Sequence, residues 1–366
     1  MPRFATIALG CIALASIAAA GYSELYPRLW PPVAEPQPVV TRAAPPVAVP
    51  APSSSADRLI DPLDPERPIL LDPTRETLPV NWVTARPAFQ YSRKPAERGG
   101  IDPCAGEPIS VNDFTDWVPL AQGHFSAPKS LKLDASGRFE LVIHLNGDEP
   151  VRKQLVKSGQ PFVLFTLTLD PSRGYAPLFT GTSLYQAIVS GVEQGVGKQL
   201  GTTAHVGHVA MSAWSAGFVG IAAALGQPTG SGIDAVILVD GLHAPRGNPD
   251  AFKAQMKPFV DYAKRAMQGE RSMFITHSSI DPPDFASTSE CAHYLLSALD
   301  AKPLAVKRAD PWGLELVEYF SRGDLQVRGY AGNDRADHCA QLVVLRDAFA
   351  TLGKRWGTGV TAEVKQ

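Results

Sequence analysis

The sequence lacks an excess of charge of either sign. Its 34 lysine and arginine residues nearly balance its 36 aspartate and glutamate residues, which gives a formal net charge of −2. Nucleic-acid binding depends on a basic surface that neutralises phosphates, and the basic residues here are scattered along the chain. We therefore expect no nucleic-acid partner.

Cysteine is also scarce, with four residues in 366. Cys11 lies in an apolar N-terminal run, so Cys104, Cys291 and Cys339 can form at most one internal disulfide, and the sequence does not indicate which pair. Neither a Cys-x-x-Cys pair nor a His-Glu-x-x-His run occurs. The sequence therefore predicts no zinc site and no redox dithiol.

The N-terminus has the pattern of an export signal. Arg3 precedes an apolar run from Phe4 to Ala20, and the small residues that end this run suit a cleavage site. The run is also long enough to remain as an uncleaved membrane anchor. We predict a periplasmic or extracellular protein, and the sequence leaves cleavage and anchoring open.

Composition divides the chain into four parts. Residues 1–20 are the signal or anchor, and residues 21–56 are rich in Pro and Ala, which predicts an extended, semi-rigid spacer. Residues 57–110 contain repeated Asp-Pro steps and little periodicity, so we expect an irregular arm. Residues 111–366 have the composition of a folded domain.

Within residues 111–366, short apolar runs alternate with helical stretches. This pattern predicts an α/β fold, with a mostly parallel, doubly wound sheet between two helical layers. The predicted strands are Phe139–Leu145, Pro161–Leu169, Val206–Trp214, Ala235–Val239, Met273–Thr276 and Leu325–Tyr330. The predicted helices are Leu184–Leu200, Ala216–Leu225, Ala251–Met267, Ser289–Leu299 and Cys339–Leu352. The segments Trp117–Phe125 and Leu131–Leu133 predict an antiparallel edge before the parallel strands.

A serine lies between a predicted strand and a predicted helix. Strand Val206–Trp214 leads directly into Ser215-Ala216-Gly217, and an apolar helix follows. A nucleophile elbow needs small residues two before and two after the serine, because the strained turn brings strand and helix close together. Ala213 and Gly217 occupy those positions, with alanine in place of the commoner glycine. We interpret Ser215 as a candidate nucleophile.

Two further stretches are polar where predicted strands end. Asn146-Gly147 follows Phe139–Leu145, and a polar segment that ends at His338 follows the predicted last strand. His338 alone among the eight histidines combines that position with the chain order Ser, Asp, His.

Taken together, these features resemble the α/β-hydrolase superfamily from about Trp117 to Trp356. The resemblance implies a serine hydrolase that needs no metal and no organic cofactor, with Ser215 as nucleophile and His338 as base. It also implies an oxyanion hole that combines the N–H of Ala216 with an N–H of the Asn146-Gly147 turn.

The triad acid stays open between two residues. Asp240 ends the apolar strand Ala235–Val239, where a lone charge is hard to explain as a solvated surface residue. Asp281 lies just past the next strand, the commoner placement, but an Asp before Pro-Pro often only forms a turn. We favour Asp240 and keep Asp281 as the alternative.

The substrate is not identified by the sequence. His144, Trp214 and His243 lie next to the predicted site and are candidate substrate-binding residues. Only about thirty residues separate strands Ala235–Val239 and Met273–Thr276, so we expect no large cap domain and an open site for an ester or amide, for example on an envelope polymer. The alternative is a non-catalytic binding or envelope-associated protein that keeps the hydrolase scaffold.

Overall fold

The computed structural model describes most of the chain after residue 107. The described residues are Cys104, 108–169, 174–310, Trp312, 314–332 and 334–358. The predicted signal or anchor, the spacer and nearly all of the irregular arm lie outside them, so these remain predictions. Among the described residues, no helix is both long and apolar enough to span a bilayer.

The centre of the described domain is a ten-stranded sheet. The strands in chain order are β1 (Val118–Leu120), β2 (Gly123–Ser126), β3 (Arg138–Leu145), β4 (Val163–Leu167), β5 (His205–Trp214), β6 (Ala235–Val239), β7 (Ala244–Pro245), β8 (Ser272–Ser278), β9 (Phe285–Ala286), β10 (Leu304–Ala309), β11 (Glu315–Arg322) and β12 (Leu325–Tyr330). The sheet order is β1-β2-β4-β3-β5-β6-β8-β12-β11-β10, and β7 pairs with β9 separately. Strands β4 to β12 in this order run parallel, with antiparallel strands at both edges. The predicted mostly parallel sheet is confirmed.

Helices cover both faces of this sheet. They are α1 (Asp148–Ser158), α2 (Ala176–Phe179), α3 (Ser183–Leu200), α4 (Phe218–Leu225), α5 (Pro249–Met267), α6 (Thr288–Ala298), α7 (Arg335–Ala340) and α8 (Leu345–Trp356). The chain moves from β3 to β4 through α1, and from β5 to β6 to β8 in the opposite direction through α4 and α5. Because such crossovers are right-handed, opposite directions place α1 and α4 on opposite faces. α8 packs against α1, and α4, α5 and α6 pack in series, which completes the three layers.

The parallel strands form the core. Every residue of β4, β6 and β8 is buried, as expected for strands that helices cover on both faces. Between β6 and β8 the chain forms only the short strand β7, the single helix α5 and turns. The expected absence of a large cap domain holds for this stretch, all of which is described.

Several local predictions were wrong. Leu131–Leu133 is not a strand, because it leads into a turn in which the Asp134 side chain accepts from the N–H of Ser136. The edge strand β10 was not predicted, because it is largely exposed and carries charged residues. Its neighbour β11, which is mostly buried, was also missed. Helix α1 was missed because its sequence is mostly polar.

The predicted helix Cys339–Leu352 is also different in the structure. It is divided into α7, a 3₁₀ turn at Gln341–Val344 and α8. His338 therefore lies within α7, which Asp334 caps by accepting from the Asp337 N–H at 3.0 Å, and not on a loop before a long helix.

The sheet order defines where a ligand would bind. The chain leaves β3 toward β4 and leaves β5 toward β6, in opposite directions. In open α/β sheets ligands bind at such a switch point, beyond the carboxyl ends of the strands. Asn146 directly follows β3 and Ser215 directly follows β5.

Candidate active site

Ser215 lies at the tip of a strained turn. It follows β5, opens the 3₁₀ turn Ser215–Gly217 that leads into α4, and has a positive φ of 53°. This left-handed conformation is unfavourable for a residue with a Cβ. A Cβ at position 217 would lie 2.3 Å from the Leu145 carbonyl oxygen, so only glycine fits there. The strained serine and the close approach of the turn to β3 are the geometry of a nucleophile elbow.

His338 and Asp240 form a buried pair. The His338 Nδ1 lies 2.7 Å from Asp240 Oδ2, and the two residues are 6% and 1% exposed. Asp240 directly follows β6, and its other carboxylate oxygen accepts from the Thr288 hydroxyl at 2.7 Å. Its backbone N–H donates to the Thr276 hydroxyl at 3.0 Å. His338 and Thr288 therefore fix the two carboxylate oxygens, and Thr276 fixes the backbone of Asp240.

The electrostatics of Asp240 favour its charged form. Burial raises the pKa of this carboxyl, but the hydrogen bond and positive charge of His338 and the hydrogen bond from Thr288 outweigh burial and lower the pKa overall. Asp240 is thus an ionised acceptor at neutral pH. It can hold the imidazole with Nδ1 protonated and stabilise an imidazolium.

Backbone contacts bring Ser215 to this pair. A Cβ at position 241, next to Asp240, would lie 2.5 Å from the Ser215 carbonyl oxygen. Trp214 stacks on the His338 ring with 4.8 Å between centroids, and its indole N–H donates to the His338 carbonyl at 3.3 Å. The neighbours of Ser215 and of Asp240 in the chain therefore pack together, which places Ser215 next to the His338–Asp240 pair.

Asp281 lies elsewhere on the surface. Its carboxylate pairs with Arg246 at 2.8 Å, and its side chain is 69% exposed. Arg246 also binds Glu290, which forms the capping box of α6 with Ser287. Of the two candidate acids, the structure places Asp240 against His338 and Asp281 in an exposed ion pair.

The predicted oxyanion donors are arranged differently from expectation. The backbone N–H of Asn146 donates to the Leu167 carbonyl at 3.0 Å, and that of Gly147 donates to the Thr168 hydroxyl at 2.9 Å. Both N–H groups are therefore engaged within the protein, which does not fit the predicted role of this turn's backbone.

The Asn146 side chain, by contrast, lies beside the elbow. Its amide donates to the Trp214 carbonyl at 3.1 Å, and an amide nitrogen has a second hydrogen to donate. Asn146 holds a positive φ of 76°. Ala216 is the second residue of the 3₁₀ turn that leads into the N-terminus of α4. The first N–H groups of a helix have no hydrogen-bond partner within that helix.

The three candidate substrate-binding residues have different surroundings. His144 is fully buried, with its ring nitrogens 2.9 Å from Ser212 Oγ and 3.0 Å from the Asn146 carbonyl. It therefore supports the turn after β3 from within the core and does not face a substrate. Trp214 packs on His338, as described above.

His243 borders the acid of the pair. Its Nδ1 lies 3.0 Å from the Ala286 carbonyl, and its ring packs edge-on against Phe285. Burial lowers the pKa of His243 to about 4, although Asp240 favours its charged form. The His243 ring is neutral at pH 7, so it forms no ion pair with Asp240 that would weaken the interaction of Asp240 with His338.

A disulfide lies directly beside the histidine. Cys104 is bonded to Cys339, which follows His338 in α7, and Cys291 is a buried free thiol. The bridge therefore fixes a residue of the predicted arm to the helix that carries His338.

Thr276 and Thr288 were not identified from the sequence. Thr288 follows Ser287, whose Ser-x-x-Glu capping box is a recognisable helix start. That pattern indicates where α6 begins, but nothing in it indicates that Thr288 faces Asp240.

Comparisons with known proteins give only distant likenesses. No protein-family model matches the chain, and no curated protein matches it at a significant level. A solved prolyl endopeptidase is similar at 14% identity and a TM-score of 0.40, over 69% of this chain and 40% of that one. Est1E from Butyrivibrio proteoclasticus is similar at 11% identity and a TM-score of 0.36, over 65% of this chain and 97% of that one. The siderophore hydrolase EstB from Aspergillus nidulans is similar at 11% identity and a TM-score of 0.42, over 69% of this chain and 98% of that one.

The fold follows from the described elements themselves. They comprise a parallel sheet with its switch point between β3 and β5, a strained serine turn after β5, and a histidine after the last strand. The described part of the chain therefore has a doubly wound α/β fold of the kind that the resemblance to α/β-hydrolases implies.

Proposed function

We propose that this chain is an exported serine hydrolase that cleaves carboxylic esters through a triad of Ser215, His338 and Asp240. The observation that carries the proposal is the buried 2.7 Å hydrogen bond between His338 Nδ1 and Asp240 Oδ2, next to the strained serine turn. A buried imidazole–carboxylate pair beside an elbow serine is the arrangement that activates a hydroxyl for acyl transfer.

The pair would act as a general base and then as a general acid. Asp240 keeps the proton on Nδ1, so Nε2 of His338 can accept the Ser215 hydroxyl proton as Oγ attacks the acyl carbon. The carbonyl electrons move to oxygen, and the resulting intermediate expels the alcohol, which takes the proton from His338. Water then attacks the acyl-serine by the same route, which releases the acid and restores Ser215.

Two donors can stabilise the negative oxygen. The N–H of Ala216 and the second N–H of the Asn146 side-chain amide are assigned to this role. Support comes from the bond between the Asn146 amide and the carbonyl of Trp214, which holds the amide beside the serine. Preorganised donors of this kind stabilise the oxyanion by about 3 kcal/mol each.

The substrate class is an ester whose acyl part is narrow. Ser215 is only 8% exposed. A narrow acyl chain can reach a serine behind a small opening more easily than a bulky acyl group can. The described stretch between β6 and β8 forms a single helix and no cap domain, which supports an alcohol that belongs to a lipid or an acylated glycan of the cell envelope. Export and possible membrane anchoring rest on the N-terminal sequence pattern alone.

A graded substrate panel tests this proposal. Wild type and Ser215→Ala are compared on p-nitrophenyl esters of increasing acyl length and on matched p-nitroanilides, with circular dichroism as the folding control. We expect wild type to hydrolyse short-chain esters faster than the anilides and Ser215→Ala to show no turnover above background. A folded wild type that cleaves none of these substrates would favour a non-catalytic binding protein instead.

A further inference from the structure

A second group of functional side chains lies away from the serine. His277 of β8, His293 of α6 and Glu318 of β11 each place one ligand atom within 4.8 Å of those of the other two. The His293 Nε2 lies 2.6 Å from Glu318 Oε2, and the His277 Nε2 lies 3.6 Å from the same oxygen. Three separate elements thus converge on one point.

The hydrogen bonds of His277 fix its tautomer. The Ser289 hydroxyl donates to the Ser278 carbonyl at 2.6 Å, so it must accept at 2.8 Å from the His277 Nδ1–H. In this tautomer Nδ1 carries the ring proton, and Nε2 presents a lone pair.

That lone pair is buried against a carboxylate. His277 is 2% exposed, and its Nε2 has no hydrogen-bond partner in the part of the chain that is described. An unpaired buried acceptor beside a carboxylate oxygen is unfavourable. A cation between the two atoms would turn this repulsion into attraction.

We propose that His277, His293 and Glu318 bind one Zn²⁺ ion, with water as the fourth ligand. Two imidazoles and a carboxylate are a ligand set that zinc accepts, and bonds of about 2.1 Å separate tetrahedral ligand atoms by about 3.4 Å. The present separations of 2.6 and 3.6 Å from Glu318 Oε2 bracket that value. The His293 side chain is 38% exposed, which gives the ion a route of entry.

The surroundings of the site fit this role. The bond from His277 Nδ1 to Ser289 is the outer-shell contact that orients a metal-binding imidazole. A Cβ at position 329 would lie 2.7 Å from His277 Nε2, so Gly329 of β12 leaves space there. Binding requires His293 Nε2, which lies 2.6 Å from Glu318 Oε2, to present its lone pair to the ion. The ion would fasten β11 and the second turn of α6 to β8, independently of hydrolysis.

Metal titration of the full-length protein tests the site. After treatment with chelator and dialysis, Zn²⁺ is titrated by calorimetry, and Co²⁺ is added separately to record the absorption of tetrahedral cobalt. We expect one Zn²⁺ per chain, a rise in Tm with Zn²⁺, and tetrahedral cobalt bands. Because outer-shell changes already weaken metal binding about 10–100-fold, His293→Gln and Glu318→Gln should each weaken it more than about 100-fold.

His208→Gln is the matched control. It removes a partly exposed histidine that contacts a single glutamate, Glu140, at 2.9 Å, and it should bind Zn²⁺ as wild type does. Ser289→Ala keeps the three ligands and should weaken binding about 10–100-fold. Wild type that binds no Zn²⁺, or His293→Gln that binds it as tightly as wild type, would overturn the proposal.

Discussion

Replacing Asp240 by asparagine reverses the hydrogen-bonding demand on His338. The Thr288 hydroxyl accepts from the Ser278 N–H at 3.1 Å and donates to Asp240 Oδ1 at 2.7 Å. In Asp240→Asn the amide oxygen must take the Oδ1 position to keep the bond from Thr288. The amide NH₂ group then faces His338 Nδ1.

The variant should therefore hold the imidazole in the wrong tautomer. A donor opposite Nδ1 forces that nitrogen to accept, so the ring proton moves to Nε2, which cannot take the Ser215 proton. The negative charge that stabilises the imidazolium is lost as well. We expect kcat to fall about 10⁴-fold, which corresponds to about 5 kcal/mol of transition-state stabilisation.

Asp281→Asn is the matched control for this prediction. It makes the same chemical change at an exposed carboxylate paired with Arg246, and exposed pairs contribute at most about 1 kcal/mol to stability. The assay is kcat on the best p-nitrophenyl ester for wild type and both variants, with circular dichroism to verify folding. We expect Asp281→Asn to stay within about twofold of wild type, since surface changes rarely exceed about 0.5 kcal/mol. If Asp240→Asn keeps more than about a tenth of wild-type kcat, the assignment of Asp240 as the triad acid is refuted.

Three further predictions concern the surroundings of the triad. Asn146→Gly tolerates the positive φ of 76° but removes the amide, so kcat should fall about 10²–10³-fold, and an unchanged kcat would exclude this side chain from the oxyanion hole. Replacing Cys104 and Cys339 by serine should lower stability to urea by on the order of 4 kcal/mol, because the bridge joins residues 235 apart. The double serine variant should also have a lower kcat than wild type. Equal urea midpoints of wild type with and without reductant would contradict the predicted loss of stability. Burial lowers the pKa of His144 to about 4 in the folded chain, whereas the unfolded chain takes up the proton near pH 6.5. The contribution of His144 to stability should therefore fall by up to about 3 kcal/mol as pH drops from 6.5 to 4, and urea midpoints should show a smaller fall in His144→Gln than in wild type.

Features fixed by local sequence were predictable. Strands β4 and β6 are buried along their whole length, so they appear in the sequence as continuous apolar runs. The serine turn was recognisable because the steric need for small residues around Ser215 is local. The largely exposed strand β10 lacks such a run, and for that reason it was not predicted.

Features that depend on distant contacts were less predictable. Asp240 and His338 are 98 residues apart, and the sequence left two aspartates as candidates. The predicted backbone donors at Asn146 and Gly147 are engaged by Leu167 and Thr168, which no local pattern indicates. The proposed zinc ligands come from three elements, so a search for linear metal motifs did not find them.

The central claim is that Ser215 is an activated nucleophile. Full-length wild type, Ser215→Ala and His338→Ala are incubated with a fluorophosphonate probe, and the modified peptide is identified by mass spectrometry. We expect one label per wild-type chain, located on Ser215, and no labelling of either variant. A folded wild type that stays unlabelled, or a label on another residue, would contradict it.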